Sequence, residues 1–346
     1  MNPLIWTVLI TGLSTGSIIT MMSHHWLLAW LGLELNTLSI LPIIIKPHHP
    51  RATEATTEYF LVHATVRAVI LFASSLNAWQ SGQWSIMATT NPAITTTLAL
   101  ALLLNLGVAP AHFWYPDVLH GSAMRTALLM STWQKLAPLS LLYMIISNAP
   151  TQVMLFVGLL STLIGGWAGL NQTQLRKIMA FSSIAHMGWL ITATTINPSL
   201  ASITLSMYII MTSSVFHYMD NTTAKTISDL STAQVYYPAI TTTMMVTLMS
   251  LGGLPPMTGF MPKWLILKEL TLMNMPFLCT MLALSSLPSL FFYIRMTYLI
   301  SLTTAPSTNT MKHKWRFKNN PHTYMTLTTV LSLLLLPITP LMYNSL

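Results

Sequence analysis

The 346-residue sequence has 6% charged and 53% hydrophobic residues, and a formal net charge of +8. A soluble domain carries roughly 25% charged residues, so a chain this long and this poor in charge is excluded from that class and reads as an all-α polytopic membrane protein. Cys279 is the sole cysteine, which excludes an internal disulfide, a Cys-ligated iron–sulfur cluster or a Cys zinc site, and there is no Gly-rich nucleotide motif.

A spanning helix needs about 20 mostly apolar residues, and on that criterion about eleven spans are predicted. The N-terminal stretch from Met1 lacks a basic region and a small-residue cleavage site, so it reads as a retained first span at 4–22. The others follow at 25–45, 57–78, 92–117, 122–147, 151–169, 175–195, 199–218, 237–270, 275–301 and 322–343. The fourth and ninth are too long for a simple crossing and contain glycine and proline, so both are expected to be broken. All eleven belong to a single transmembrane domain, 1–346.

The basic residues test this order. Lys46, Arg51, Arg176, Lys177, Lys225, Lys312, Lys314, Arg316 and Lys318 all follow even-numbered spans, and only Lys268 follows an odd-numbered one. Positive charge accumulates on one membrane face. The expected N-terminus therefore lies on the positive side and the C-terminus opposite. The net charge marks that face and does not indicate nucleic-acid binding. The pairs His24–His25 and His48–His49 fall at opposite faces, so they form no shared metal site.

The fourth span contains L-G-V-A-P-A-H-F-W-Y (Leu106 to Tyr115) and the ninth L-G-G-L-P-P-M-T-G-F (Leu251 to Phe260). Leucine, glycine, proline and the closing aromatic match at a constant offset of 145 residues. Five spans separate the two, so they cross in opposite directions. Such paired Gly/Pro interruptions are the best sequence pointer to an ion pathway. Inverted repeats are expected over about 1–147 and 151–301, with a final helix at 322–343.

Charge at bilayer depth is costly and is retained mainly for function. Glu34 lies mid-span and needs a partner or a proton. Lys135 lies mid-span before Pro138, where burial and a nearby carboxylate can switch it between charged and neutral forms. Lys263 follows the second interruption, where freed backbone can solvate a cation. His112, in the first interruption, and His186 are candidate relays, because imidazole titrates near neutrality; a packing role fits each equally well. Arg67 lies about ten residues into its span, about 15 Å deep at 1.5 Å per residue, with His63 one turn earlier on the same face.

Several motifs resemble one family: W-L-G-L-E-L-N around Glu34, T-W-Q-K-L-A-P around Lys135, G-L-N-Q-T-Q-L-R-K from Gly169, F-S-S-I-A-H-M-G-W from Phe181, and S-L-G-G-L-P-P-M-T-G-F-M-P-K-W from Ser250. The whole chain resembles the chain 2 family of mitochondrially encoded membrane-arm subunits of NADH:ubiquinone oxidoreductase, respiratory complex I. The resemblance implies an antiporter-like fold of inverted five-helix repeats with two broken helices. It also implies proton translocation along a buried Glu34–Lys135–Lys263 axis, coupled to quinone reduction elsewhere in the complex. Flavin, iron–sulfur clusters and quinone would lie in other subunits, with no cofactor in this chain. The implied partners are other membrane subunits, including a neighbouring antiporter-like chain, accessory subunits and lipids. The implied location is the mitochondrial inner membrane, with the N-terminus on the matrix side and the C-terminus facing the intermembrane space.

One position departs from the family pattern, which places a lysine immediately before L-G-x-x-P; here it is Asn105. Arg67 is the candidate to stand in for that charge, by pairing with Glu34 or approaching Asn105; the alternative is that it faces a neighbouring subunit or a lipid headgroup. Two rival readings are a stand-alone cation/proton antiporter and a structural membrane-arm subunit with vestigial charges.

Overall fold

The computed structural model describes residues 3–89, 91–303 and 323–339. Among these the regular elements are helices, with no strand. The chain divides into two compact units, Met1–Ser161 and Thr162–Leu346.

The first unit contains α1 (Pro3–Met22), α2 (Trp26–Ile45), α3 (Pro50–Ser81), α4 (Pro92–Asn105), α5 (Trp114–Gly121), α6 (Met124–Ser131), a 3₁₀ turn (Trp133–Lys135) and α7 (Leu136–Ile145). The unit boundary falls within α8 (Thr151–Gly169). The second unit continues with α9 (Leu175–Ile196), α10 (Pro198–Thr222), α11 (Ile227–Tyr236), α12 (Pro238–Gly252), α13 (Phe260–Leu272), α14 (Pro276–Leu302) and α15 (Thr323–Leu334).

Prolines and polar caps set the helix starts. Pro50, Pro92, Pro198, Pro238 and Pro276 open α3, α4, α10, α12 and α14, where the missing N–H is no loss and the fixed φ suits the first turn. Asn91 and Asn197 accept from the N–H groups of Ala93 and Ser199, both at 3.1 Å. Thr226 and Asp229 form a reciprocal capping box on α11. There the backbone N–H groups of Thr226 and Lys225 hold the Asp229 carboxyl below the usual carboxylate range.

The many threonines fit an apolar medium because their hydroxyls bond back along the helix. Thr37 donates to the Glu34 carbonyl at 2.8 Å and Thr192 to that of Trp189 at 2.8 Å. α9 is buried on almost every face, with Ser182, Ser183, Thr192 and Thr194 bonding back to carbonyls of their own helix.

Helices α1, α2, α3, α8, α10 and α14 are each long and apolar enough to cross a membrane, and α4, α12 and part of α15 are shorter apolar helices. The fourth and ninth predicted spans are interrupted, as α4/α5 and α12/α13. Three features differ from the sequence reading by more than a few residues. The third span, expected from residue 57, begins at Pro50, because His49 caps it through its ring nitrogen and Pro50 follows. The fifth is also interrupted, at the 3₁₀ turn. A short helix, α11, occupies what reads as a polar connection. Lys312, Lys314, Arg316, Lys318 and the end of the final span lie outside the described residues.

Candidate functional site

The first interruption begins where α4 ends at Asn105. Gly107 adopts φ +70°, a left-handed conformation that a side chain resists. Pro110 then withholds a donor, and regular helix resumes only at Trp114. Asn105 is half-buried at the end of α4. His112 is buried, its Nδ1 within 3.1 Å of the Pro110 carbonyl and its ring 4.4 Å from Phe113.

Lys135 sits on the 3₁₀ turn, 3% exposed. Pro138 cannot donate to the carbonyl four residues back, that of Gln134, so the helix tightens before α7 begins. The Lys135 Nζ lies 5.2 Å above the centre of the Tyr115 ring, a cation–π contact. Beside it, Gln134 Nε2 donates to Asn36 Oδ1 at 3.1 Å, tying this turn to α2 two residues past Glu34.

Glu34 is not solitary. Arg67 Nη1 donates to Glu34 Oε2 in an ion pair whose side chains are 3% and 31% exposed, respectively. Arg67 Nε donates to the His63 carbonyl at 2.8 Å, and none of the guanidinium bonds goes to Asn105. Arg67 is thus turned inward from mid-helix, where snorkelling to an interface is out of reach.

In the second unit α12 ends at Gly252, Gly253 adopts φ +81°, and α13 begins at Phe260. Lys263 Nζ donates to the Gly252 carbonyl at 3.0 Å. An interrupted helix leaves its last carbonyls unbonded, and its C-terminal dipole favours a cation. A cavity of about 20 Å³ beside it is lined by His186, Trp189, Tyr208, Gly259, Pro262 and Lys263, among others. That is room for about one water. The His186 and Tyr208 rings lie 5.6 Å apart. Thr258 Oγ1 donates to the Ser332 carbonyl at 2.6 Å, anchoring the interruption to α15.

The structure therefore brings Glu34 and Arg67 together, and His186 and Lys263 together, while the contacts of His112 are local to its own loop. Three features escape the sequence reading: Tyr115 as the platform for Lys135, the Gln134–Asn36 bond, and the turn at Lys135. Pro138 signals the last of these; long-range pairings leave no local signal. Among the described residues no group of His, Cys, Asp or Glu is placed to hold a metal ion.

Residues 23–289 match the family model for the transmembrane domain of NADH:quinone oxidoreductase and Mrp antiporters, and residues 290–343 match that for the NADH dehydrogenase subunit 2 C-terminus. The NADH-ubiquinone oxidoreductase chain 2 of Oncorhynchus mykiss is 49% identical over 341 residues, covering 98% of each chain. Two solved structures share the fold. A chain of respiratory complex I from Thermus thermophilus with bound aureothin superposes with a TM-score of 0.85 at 24% identity, over 97% of this chain and 78% of that one. A chain of the Mrp complex from Dietzia sp. gives 0.83 at 14% identity, over 97% and 76%. With its Gly/Pro-interrupted fourth and ninth spans and a full-length match at half identity, the chain belongs to the NADH-ubiquinone oxidoreductase chain 2 family of antiporter-like membrane subunits.

Proposed function

We propose that the chain translocates protons as a membrane-arm subunit of respiratory complex I, along an axis whose stations are Glu34 and Lys135 in the first unit and Lys263 in the second. The observation that carries this reading is the placement of both lysines. Each is at a helix interruption, Lys135 against an aromatic face and Lys263 on a freed carbonyl. His186 and a cavity with room for about one water extend the Lys263 station, and His112 is available at the first interruption. Arg67 supplies, as a fixed charge, what Asn105 does not. The driving reaction is quinone reduction in other subunits, which hold the flavin, the clusters and the quinone. Inverted repeats over about 1–147 and 151–301 supply the two interrupted helices, with 322–343 outside both.

The test is Lys135→Met, which keeps side-chain volume and removes the titrating group. Loss of a positioned proton-transfer group slows transfer by roughly 100-fold or more. Assembled enzyme is expected to reduce quinone with strongly reduced proton pumping, read as pH change per NADH oxidised. Normal pumping would make Lys135 a structural charge and favour the rival reading of a structural subunit. Transport by the isolated chain would favour the stand-alone antiporter, a reading to which the Mrp likeness contributes only shared fold.

The site of action is the mitochondrial inner membrane, in contact with lipids, accessory subunits and a neighbouring antiporter-like chain, with the N-terminus at the matrix and the C-terminus at the intermembrane space. Cysteines introduced at Lys46, Arg176 and Lys225 are expected to react with an impermeant reagent from the matrix side only. Labelling of any one from the other side would overturn this orientation.

A further inference from the structure

Tyr59, His63 and Arg67 recur every fourth residue of α3 and so form one stripe. All three are more than nine-tenths buried. The His63 ring lies 3.9 Å from that of Tyr59 and 5.0 Å, edge-on, from that of Trp114, and Tyr59 and Trp114 are 6.0 Å apart. In this cluster Tyr59 Oη, His63 Nε2, Arg67 Nη2 and Trp114 Nε1 are buried without a hydrogen-bond partner among the described residues. Buried polar atoms are overwhelmingly bonded. Four orphans on neighbouring groups call for a small polar partner. Water fits: it accepts from Trp114 and Arg67, and bonds in either sense with Tyr59 and His63. The same wall runs on to Lys135, since Trp114 contacts Tyr115 at 5.5 Å and Lys135 lies over the Tyr115 ring.

We propose that His63 is a proton-relay residue of the first unit, passing protons between Glu34 and Lys135 through water bound by Arg67, Tyr59 and Trp114. This rests on the reading of Glu34 and Lys135 as proton stations. In the uptake step a hydronium O–H bond breaks as the His63 Nε2–H bond forms, leaving water. Release reverses this toward Lys135, and no electron moves. Arg67 is a positioning residue, because its charge is fixed near neutral pH. While the Glu34–Arg67 pair is neutral overall, a proton on His63 meets less repulsion from the guanidinium. Once Glu34 is protonated the guanidinium is uncompensated and expels the proton from His63. The two sites therefore fill alternately. Asn105 has no titrating group, so in this unit α3 provides the intermediate site that α4 lacks.

The experiment is His63→Gln in the assembled, membrane-embedded complex. Glutamine keeps hydrogen bonding and similar bulk but cannot carry the proton, so quinone reduction is retained while proton transfer falls by roughly 100-fold. Normal pumping in His63→Gln, with pumping lost in Lys135→Met, would overturn the relay and leave the Glu34–Lys135 reading intact. Normal pumping in both would overturn that reading as well. A map of the wild-type complex supplies the second measurement, independent of any variant's assembly. Ordered solvent is expected within hydrogen-bond distance of both His63 Nε2 and Arg67 Nη2, and a dry, closed wall there would overturn the proposal.

Discussion

Gly259→Ala is expected to prevent accumulation of the assembled subunit. A Cβ at this position would lie 1.9 Å from the Ser250 carbonyl oxygen and 2.9 Å from its carbon. The φ of −67° is ordinary, so space alone demands glycine. The opposing atoms are main chain in the final turn of α12, and the same oxygen accepts the Gly253 N–H at 3.0 Å. Neither side can yield without moving the interruption that seats Lys263. Overpacking costs typically 1–3 kcal/mol and sometimes more; a main-chain clash this close is expected to cost about 3 kcal/mol or more. Gly82→Ala is the matched control. It has φ +71° but nothing within 4 Å of the new methyl, so only the left-handed penalty of about 1–2 kcal/mol applies. Abundance and thermal stability of the complex in isolated membranes read the difference. Equal levels of the two variants would show that the α12–α13 interruption is not packed in this way.

Glu34→Gln has the second large expected effect, and it concerns stability before transport. It leaves the buried Arg67 guanidinium facing a neutral amide. Breaking a buried pair by removing one partner costs roughly 3–5 kcal/mol. The lower end, about 3 kcal/mol, is expected because the Glu34 side chain is 31% exposed. Arg67→Met added to Glu34→Gln removes the stranded charge and is expected to recover most of that loss, a coupling that a double-mutant cycle measures. Recovery of assembly should not bring recovery of pumping, since the Glu34 station then carries no proton. If the double variant were less stable than Glu34→Gln alone, the ion pair would not be the source of the loss.

Much of this architecture is legible in the residues. The two Gly/Pro interruptions announce themselves because proline and glycine act locally: Pro110 withholds a donor and Gly253 adopts φ +81°. Lys263 is equally readable: a lysine eleven residues past Gly252 needs solvation, and the freed carbonyl is the nearest supply. The turn at Lys135 is signalled only by Pro138, and its tightening to 3₁₀ depends on how α6 and α7 pack. The Glu34–Arg67 partnership joins residues 33 apart and Gln134–Asn36 residues 98 apart. Sequence marks such groups as needing partners, but the choice of partner belongs to tertiary packing. His63 illustrates the remainder. Its spacing from Arg67 is plain, whereas its value as a site depends on Trp114 arriving edge-on from α5.

The acceptor that seats Lys263 belongs to the main chain, and this has consequences for mutational tolerance. A carbonyl is carried by every amino acid, so no single exchange at 252 deletes it. A Cβ there would meet Tyr293 at 3.7 Å, an ordinary contact, which leaves that position free to drift to alanine. Its neighbour has no such latitude, because a Cβ on Gly253 would fall 2.9 Å from the Lys263 Nζ. The ammonium seat is thus insured at 252 and exposed to substitution at 253 and 263, a pattern of constraint that reflects backbone geometry more than side-chain chemistry.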